Sequence, residues 1–187
     1  PIKARYAKAT SARTLGEVIA GADVFLGLSA GGVLKPDMVA KMANNPLILA
    51  LANPTPEITP DEVRRVRDDA VISTGRSDYP NQVNNVLCFP FIFRGALDVG
   101  ATTINEAMQL AAVHALAELA QAEASDVVAM AYGGESLSFG REYLIPRPFD
   151  PRLIVKIAPA VAQAAMDSGV ATRPIADLDA YRERLNN

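Results

Sequence analysis

Three short apolar runs, alternating with helix-start signals, constrain the fold of this chain more than any other feature. The runs lie at residues 24–28, 47–51 and 71–74, and turn residues bound each of them. Such runs are typical of strands that are buried on both faces of a parallel sheet. Pro36 and the capping box Thr59–Glu62 predict helices between the runs. The order therefore predicts an α/β fold with a parallel βαβαβ sheet, whose strand ends and loops share one edge.

Beyond Gly75 the sequence changes from strand-like to helix-like patterns. Apolar residues spaced by three and four positions predict helices, and Asp150 with Pro151 marks the start of one of them. The predicted helices cover residues 82–99, with a kink or break at Pro90, and residues 104–119, 126–132, 150–169 and 178–185. The chain is thus expected to divide into a sheet part at about 1–75 and a helical part at about 80–187.

Composition excludes several classes of partner. The 187 residues contain 18 Lys and Arg against 21 Asp and Glu, a net charge of −3, whereas a nucleic-acid-binding protein needs a basic face. No apolar run approaches the roughly 20 residues that span a bilayer, so no membrane partner is expected. The single cysteine, Cys88, fits a reducing compartment and predicts a cytoplasmic protein. A single histidine excludes a multi-histidine metal site made by this chain alone.

The loop after the first strand, Ser29-Ala30-Gly31-Gly32, is a candidate ligand site. Ligands of open parallel sheets bind at the carboxyl ends of the strands. Small residues let the backbone approach a cofactor closely, and free amides can donate hydrogen bonds to it. The alternative is a plain turn between a strand and a helix, since the loop lacks the GxGxxG pattern.

Asn53 lies in the loop after the second strand and is a second candidate. Pro54 and Pro56 restrict the loop to one pose, and the carboxamide offers a ligand both a donor and an acceptor. The alternative is a rigid turn in which Asn53 bonds its own backbone.

Asn84 and Asn85 form a third candidate, at the start of the predicted apolar helix. The free N–H groups of a helix's first turn favour anions, and side-chain amides there suit a carboxylate substrate without adding positive charge. The alternative is that both side chains only cap the helix and hydrogen-bond the loop.

Taken in order, three segments resemble the nicotinamide-binding domain of malic enzymes: FLGLSAGGVL at 25–34, ALANPTPE at 50–57 and GRSDYPNQVNN at 75–85. Two later segments, YLIPRPFDPR at 143–152 and GVATRP at 169–174, are similar to the larger bacterial type, in which a phosphotransacetylase-like domain follows. The resemblance runs from about Ala4 to Leu185. It implies a partial Rossmann-like parallel sheet followed by long C-terminal helices.

The resemblance implies oxidative decarboxylation of (S)-malate to pyruvate and CO2, with reduction of NADP or NAD and assistance from Mg2+ or Mn2+. By position, Asn53 matches an asparagine that contacts cofactor and substrate. Asn85, with Asn84 beside it, matches one that binds the malate carboxylate. Residues Ser29, Ala30 and Gly31 match the loop along the nicotinamide half of the cofactor. NADP is favoured over NAD only through the similarity to the fused bacterial type.

The catalytic tyrosine and lysine of the family, its acidic metal ligands and its glycine-rich pyrophosphate loop all precede these motifs. The resemblance therefore implies no catalytic residue and no metal ligand in residues 1–187, which are expected to be the C-terminal portion of the NAD(P)-binding domain. The start at Pro1 without Met favours a fragment of a longer chain, or a processed N-terminus. Such a half-sheet is expected to expose the face and edge that the missing strands cover.

The resemblance also implies which partners the chain has, with malate as its small-molecule substrate. The chain is predicted to be inactive alone and to need the missing N-terminal catalytic half, within a homo-oligomeric, multifunctional parent enzyme. Two other functions remain open. A non-enzymatic oligomerisation or nucleotide-sensing module would also lack the catalytic half and carry long apolar helices. A different 2-hydroxy-acid dehydrogenase could share the same cofactor domain.

Overall fold

A computed structural model describes residues 3–122 and 138–186. The chain forms two compact units, Pro1–Gly75 and Arg76–Asn187, and each is described by itself. The helix expected at 126–132 lies outside the described residues.

The described residues of the first unit form a small parallel sheet with short helices. They contain a 3-10 turn at Lys3–Tyr6, then α1 Leu15–Val18, β1 Val24–Gly27, α2 Pro36–Val39, β2 Leu47–Ala50, α3 Pro60–Arg64 and β3 Val71–Thr74. The strands are parallel and lie in the order β1-β2-β3. The predicted α/β class with a βαβαβ sheet is thereby confirmed.

Helix starts in this unit follow local sequence signals. Thr59 and Glu62 form a complete capping box, and Pro36 and Pro60 occupy first helical positions. After α3 the Arg67 guanidinium donates to the backbone carbonyls of residues 39 and 43, at 3.0 and 2.8 Å, which ties the end of α2 to this segment. The same guanidinium holds the pKa of Asp69 well below its usual range.

β1 differs from the prediction that its two faces are both buried. Phe25 is 8% exposed, whereas Val24 and Leu26 are 55% and 57% exposed. Within the described residues β1 pairs only with β2, so it forms an edge of the sheet with one apolar face in solvent. This exposure agrees with the expected half-sheet. The packed face contributes to an apolar core made of Ile19, Phe25, Leu34, Val39, Met42, Ile48, Ala50, Ile58, Val63 and Ile72.

The described residues of the second unit are helical. They contain a 3-10 turn at Asn85–Leu87, then α4 Phe89–Asp98, α5 Glu106–Gln121, α6 Arg152–Asp167 and α7 Leu178–Asn186. α6 is central, since it packs against α4, α5 and α7. The buried core residues of this unit are Leu87, Ala96, Val99, Met108, Ala112, Ala115, Leu119, Leu153, Ile157, Ala158, Val161, Ala162, Ala165, Tyr181 and Leu185.

The prediction of one helix over 82–99 with a kink or break at Pro90 was wrong in its details. The chain forms a separate 3-10 turn and then α4, and Pro90 lies in the first turn of α4. A proline there removes an N–H that would have no helical partner, so it opens the helix instead of bending it. The start of α6 is displaced by one residue, because Pro151 is its N-cap, although the Asp150 carboxylate still accepts from the Arg152 N–H at 2.9 Å.

α4 and α6 approach each other at backbone distance. A Cβ placed on Gly95 would lie 2.4 Å from the carbonyl oxygen of Ala158 and 3.0 Å from the Cβ of Val161. Both distances are below ordinary van der Waals separation, so this crossing requires a glycine. In residues 3–122 and 138–186, no helix is long and apolar enough to cross a membrane.

Candidate functional site

Two loops leave the sheet side by side at the carboxyl ends of β1 and β2. Gly27 and Ala50 are register partners, and the N–H of Leu51 donates to the carbonyl oxygen of Gly27 at 3.1 Å. The loop that follows β1 therefore starts next to the loop that follows β2. This is the edge at which open parallel sheets bind their ligands.

Glu57 joins the two loops. Its carboxylate accepts from the Ser29 N–H at 2.9 Å, from the Ser29 hydroxyl at 3.3 Å and from the Ala52 N–H at 3.0 Å. Burial raises the pKa of Glu57, but these hydrogen bonds outweigh it, and the pKa lies below its ordinary value. Sequence reasoning assigned Glu57 no role, because a glutamate in a proline-rich loop is ordinarily exposed.

The residues predicted to contact the cofactor lie in the loop after β1, and Ser29 among them is bonded to Glu57 through its N–H and its hydroxyl. Ser29, Ala30 and Gly31 are exposed. The N–H groups of Ala30 and Gly31 donate no hydrogen bond within the described residues, so both are available to a ligand. A Cβ on Gly31 would lie 2.8 Å from the Cβ of Thr55, so a side chain there would push the two loops apart.

Asn53 lies on the neighbouring loop, and its side chain is exposed. The Asn53–Pro54 peptide bond is cis. In the described part of the chain the Asn53 carboxamide makes no hydrogen bond, so the alternative in which it bonds its own backbone is wrong. The structure thus brings together Ser29, Ala30, Gly31 and Asn53 at one edge of the sheet.

Asn84 and Asn85 lie in the second unit, on the 3-10 turn before α4 and not within α4 as expected. The Asn84 side chain accepts from the Val86 N–H at 3.0 Å and caps this turn, which is the alternative role considered for it. Its Nδ2 remains a donor. Asn85 is exposed, and its carboxamide makes no hydrogen bond within the described ranges. Asn85 therefore has its whole carboxamide available to a ligand, whereas Asn84 uses its side-chain oxygen in the cap.

Asn81 is a buried residue that sequence reasoning missed. Its Nδ2 donates to the carbonyl oxygen of Arg141 at 2.7 Å, and its Oδ1 accepts from the Leu144 N–H at 2.7 Å. Its φ is +57°, a left-handed conformation that asparagine tolerates better than most residues. We call these two hydrogen bonds the Asn81 clamp. The clamp joins the loop 77–82 to the segment 142–149, and the two segments line a cavity of about 440 Å³.

The donors at the sheet edge fit a pyridine nucleotide, whereas the described residues offer no metal centre. Exposed N–H groups on small residues suit the carbonyl and phosphate oxygens of such a cofactor, and a carboxamide suits its nicotinamide amide. Within residues 3–122 and 138–186, no group of three His, Cys, Asp or Glu side chains is placed to hold a metal ion.

Asn81→Gly tests the clamp directly. Glycine accepts the positive φ without strain, so the variant keeps the backbone conformation while it removes the side-chain hydrogen bonds to Arg141 and Leu144. We expect hydrogen exchange of the Leu144 amide to accelerate by about 5- to 100-fold, which corresponds to about 1–3 kcal/mol. The Tyr143 amide, which donates to Gly140 at 3.0 Å, is the internal control and should keep its protection. Unchanged exchange at Leu144 would contradict the clamp.

Comparison with known proteins decides the family. The family model described as malic enzyme, NAD binding domain matches residues 2–131. This chain belongs to the malic enzyme NAD-binding domain family. The NADP-dependent malic enzyme of Salmonella typhimurium is 73% identical over 184 residues, and the NAD-dependent malic enzyme of Rhizobium meliloti is 67% identical over 184 residues.

A solved malic enzyme structure shows the same architecture. The malic enzyme of Pyrococcus horikoshii aligns with a TM-score of 0.74 and 39% identity, over 91% of this chain and 36% of that one. The resemblance stated from the sequence and the partial Rossmann-like sheet are thus confirmed. Each of the two bacterial relatives is matched over 98% of this chain but only 24% of its own length. The chain therefore spans about a quarter of these malic enzymes.

Proposed function

We propose that this chain is one segment of a longer malic enzyme and supplies contacts to its cofactor and substrate. That enzyme would decarboxylate (S)-malate oxidatively to pyruvate and CO2 and reduce NADP, or NAD. The observation that carries the proposal is the sheet edge where Asn53, Ala30 and Gly31 are exposed, and where the Asn53 carboxamide and the N–H groups of Ala30 and Gly31 have no partner among the described residues. Family membership supports it independently.

Each residue has a binding role in this proposal. Ser29, Ala30 and Gly31 lie along the nicotinamide half of the cofactor, and Asn53 contacts cofactor and substrate. Asn85 donates to a carboxylate of malate, and Asn84 offers a second donor beside it while its Oδ1 caps the turn. Neutral amides bind the carboxylate by hydrogen bonds without adding a fixed positive charge.

The chemistry requires groups that these residues do not provide. NADP would be held by Ser29, Ala30, Gly31 and Asn53 and would supply the hydride acceptor for malate oxidation. Asparagine and backbone amides neither donate nor accept a proton at neutral pH, so the residues named above bind and orient only. The catalytic acid and base and the Mg2+ or Mn2+ ligands are assigned to the remainder of the longer enzyme.

The outer face of β1 supports the need for that remainder. Val24 and Leu26 of the edge strand β1 are 55% and 57% exposed, and Leu28, directly after the strand, is 75% exposed. An edge with apolar side chains is a pairing and aggregation hazard, so we assign its cover to the N-terminal half of the enzyme. A homo-oligomeric enzyme in the cytoplasm is also proposed, and the free thiol of Cys88 is compatible with a reducing compartment.

Activity assays on two samples test the proposal. The intact protein that contains this chain should reduce NADP, or NAD, only when malate and Mg2+ or Mn2+ are present, and should release pyruvate. The 187-residue chain alone should give no malate-dependent reduction. Turnover of another 2-hydroxy acid but not malate by the intact protein would point to a different dehydrogenase. A compact dimer of the chain, with no cofactor binding by the intact protein, would point to a non-enzymatic module.

A further inference from the structure

Glu57 is a fully buried carboxylate between two loops that face solvent. Its exposed fraction is 0%, although the exposed residues 53–55, which include Asn53, end only two positions before it. One carboxylate oxygen accepts from the N–H and hydroxyl of Ser29, after β1. The other accepts from the N–H of Ala52, after β2. The Glu57 side chain thus holds both Ala52, which precedes Asn53, and Ser29, the first residue of the loop 29–31.

The carboxylate depends on these donors, because no ion pair offsets its charge. Among the described residues, Glu57 has only N–H and O–H donors as partners and forms no salt bridge. A buried charge must be hydrogen-bonded to be tolerated, so moving either loop away would leave an uncompensated anion. The charge therefore opposes opening of the loops.

The strand makes room for this carboxylate. A Cβ on Gly27 would lie 2.4 Å from Cδ of Glu57, and 2.6 and 2.7 Å from its two carboxylate oxygens. The backbone adds two links, because Gly32 N–H donates to the carbonyl of Pro56 and Leu34 N–H to that of Glu57, both at 3.1 Å. The loop after β1 is thus bonded to the loop after β2 at several points, whereas the N–H groups of residues 30 and 31 donate no hydrogen bond within the described residues.

We propose that Glu57 is a positioning residue for cofactor binding, which acts by fixing the Ser29–Gly31 loop and the Ala52–Asn53 segment in the arrangement that the nicotinamide half requires. It touches neither cofactor nor substrate. This inference rests on the function proposed above, because it assigns a task only if these loops bind the cofactor.

If Glu57 were purely structural, its replacement would lower stability without a selective loss of NADP binding. Glu62 is the matched control, because its carboxylate accepts from the N–H and hydroxyl of Thr59, at 2.9 and 2.8 Å, in the capping box of α3. Glu62→Gln therefore removes a hydrogen-bonded carboxylate charge from the same unit without touching either loop, since the glutamine carbonyl oxygen can still accept from Thr59.

The test uses the intact protein and the variant Glu57→Gln. Glutamine keeps the shape, but its amide nitrogen must face the N–H of Ser29 or of Ala52, so one loop loses its acceptor. We expect the Kd for NADP, measured without malate, to rise about tenfold, and KM for NADP to rise with it. KM for malate should rise less than KM for NADP, because Asn53 is the one residue positioned by Glu57 that is assigned a substrate contact. Glu62→Gln should leave the Kd for NADP unchanged.

Gly27→Ala provides a second route to the same readout. The methyl group displaces the carboxylate while its charge is retained, so the Kd for NADP should rise as in Glu57→Gln. The double variant should be no worse than the more damaging single one, because both changes act on one contact. If Glu57→Gln fails to fold, Glu57→Asp withdraws the carboxylate by one methylene and should weaken NADP binding likewise.

The outcomes separate this inference from the function beneath it. Variants at Glu57 and Gly27 that lower Tm with an unchanged Kd for NADP would overturn the positioning role and leave the proposed function intact. An unaltered protein that binds neither NADP nor NAD would instead overturn the proposed function. A rise in the Kd for NADP confined to the Glu57 and Gly27 variants supports the inference.

Discussion

Asn85→Ala in the intact protein is expected to raise KM for malate by about 10- to 100-fold. A hydrogen bond to a charged partner contributes about 1.5–3 kcal/mol, which corresponds to a change of this size. The Asn85 side chain is exposed and has no hydrogen bond within the described residues, so its loss should leave the local fold in place. KM for NADP should change less than threefold in steady-state kinetics.

Two further variants show whether the effect belongs to Asn85. Gln109 is an exposed carboxamide on α5, and Gln109→Ala should leave both KM values unchanged. Asn84→Ser keeps an acceptor for the Val86 N–H but removes Nδ2, so a rise in KM for malate would assign a substrate contact to that group. An unaltered KM for malate in Asn85→Ala would refute the carboxylate contact.

Gly95→Ala is expected to cause the largest loss of stability of any single methyl addition considered. The new Cβ would meet the Ala158 carbonyl oxygen at 2.4 Å, and a backbone atom inside a helix cannot rotate away as a side chain can. Overpacking of this kind costs typically 1–3 kcal/mol, and about 3 kcal/mol is expected for a backbone contact. A lower thermal midpoint and faster amide exchange along α4 and α6 would record it.

Gly140→Ala is the control for this variant. The nearest atom to a Cβ at Gly140 is the Ser138 carbonyl oxygen at 3.9 Å, which is ordinary contact. The thermal midpoint of Gly140→Ala should match that of the unaltered protein. If Gly95→Ala is equally stable, α4 and α6 can separate at little cost, and the close crossing is not needed for the fold.

The parallel sheet was predictable because its signals are local. Each strand is a short apolar run between turn residues, and Pro36, Thr59 and Pro60 mark helix starts by their own chemistry. The burial of β1 was not predictable, because exposure of Val24 and Leu26 depends on what packs against the strand. Apolarity around Pro90 likewise does not distinguish a proline within a helix from one that opens it.

The exposed residues of the candidate site were also accessible from the sequence. Small residues after β1 and an asparagine after β2 stand at positions where parallel sheets bind ligands. Glu57 and Asn81 were not, because each acts through backbone groups that are distant in sequence. Glu57 bonds Ser29, and Asn81 bonds residues 141 and 144, and no local pattern reports such pairings.

The Asn81 clamp also sets an order of events during synthesis. Its partners Arg141 and Leu144 follow it by 60 and 63 residues. At about 5–20 residues per second, the ribosome adds the last of them about 3–13 s after Asn81 itself. Throughout that interval the loop leading to Asn84 and Asn85 lacks both hydrogen bonds. The clamp that Asn81 makes therefore forms only after α5 and the segment at 138–144 have been translated.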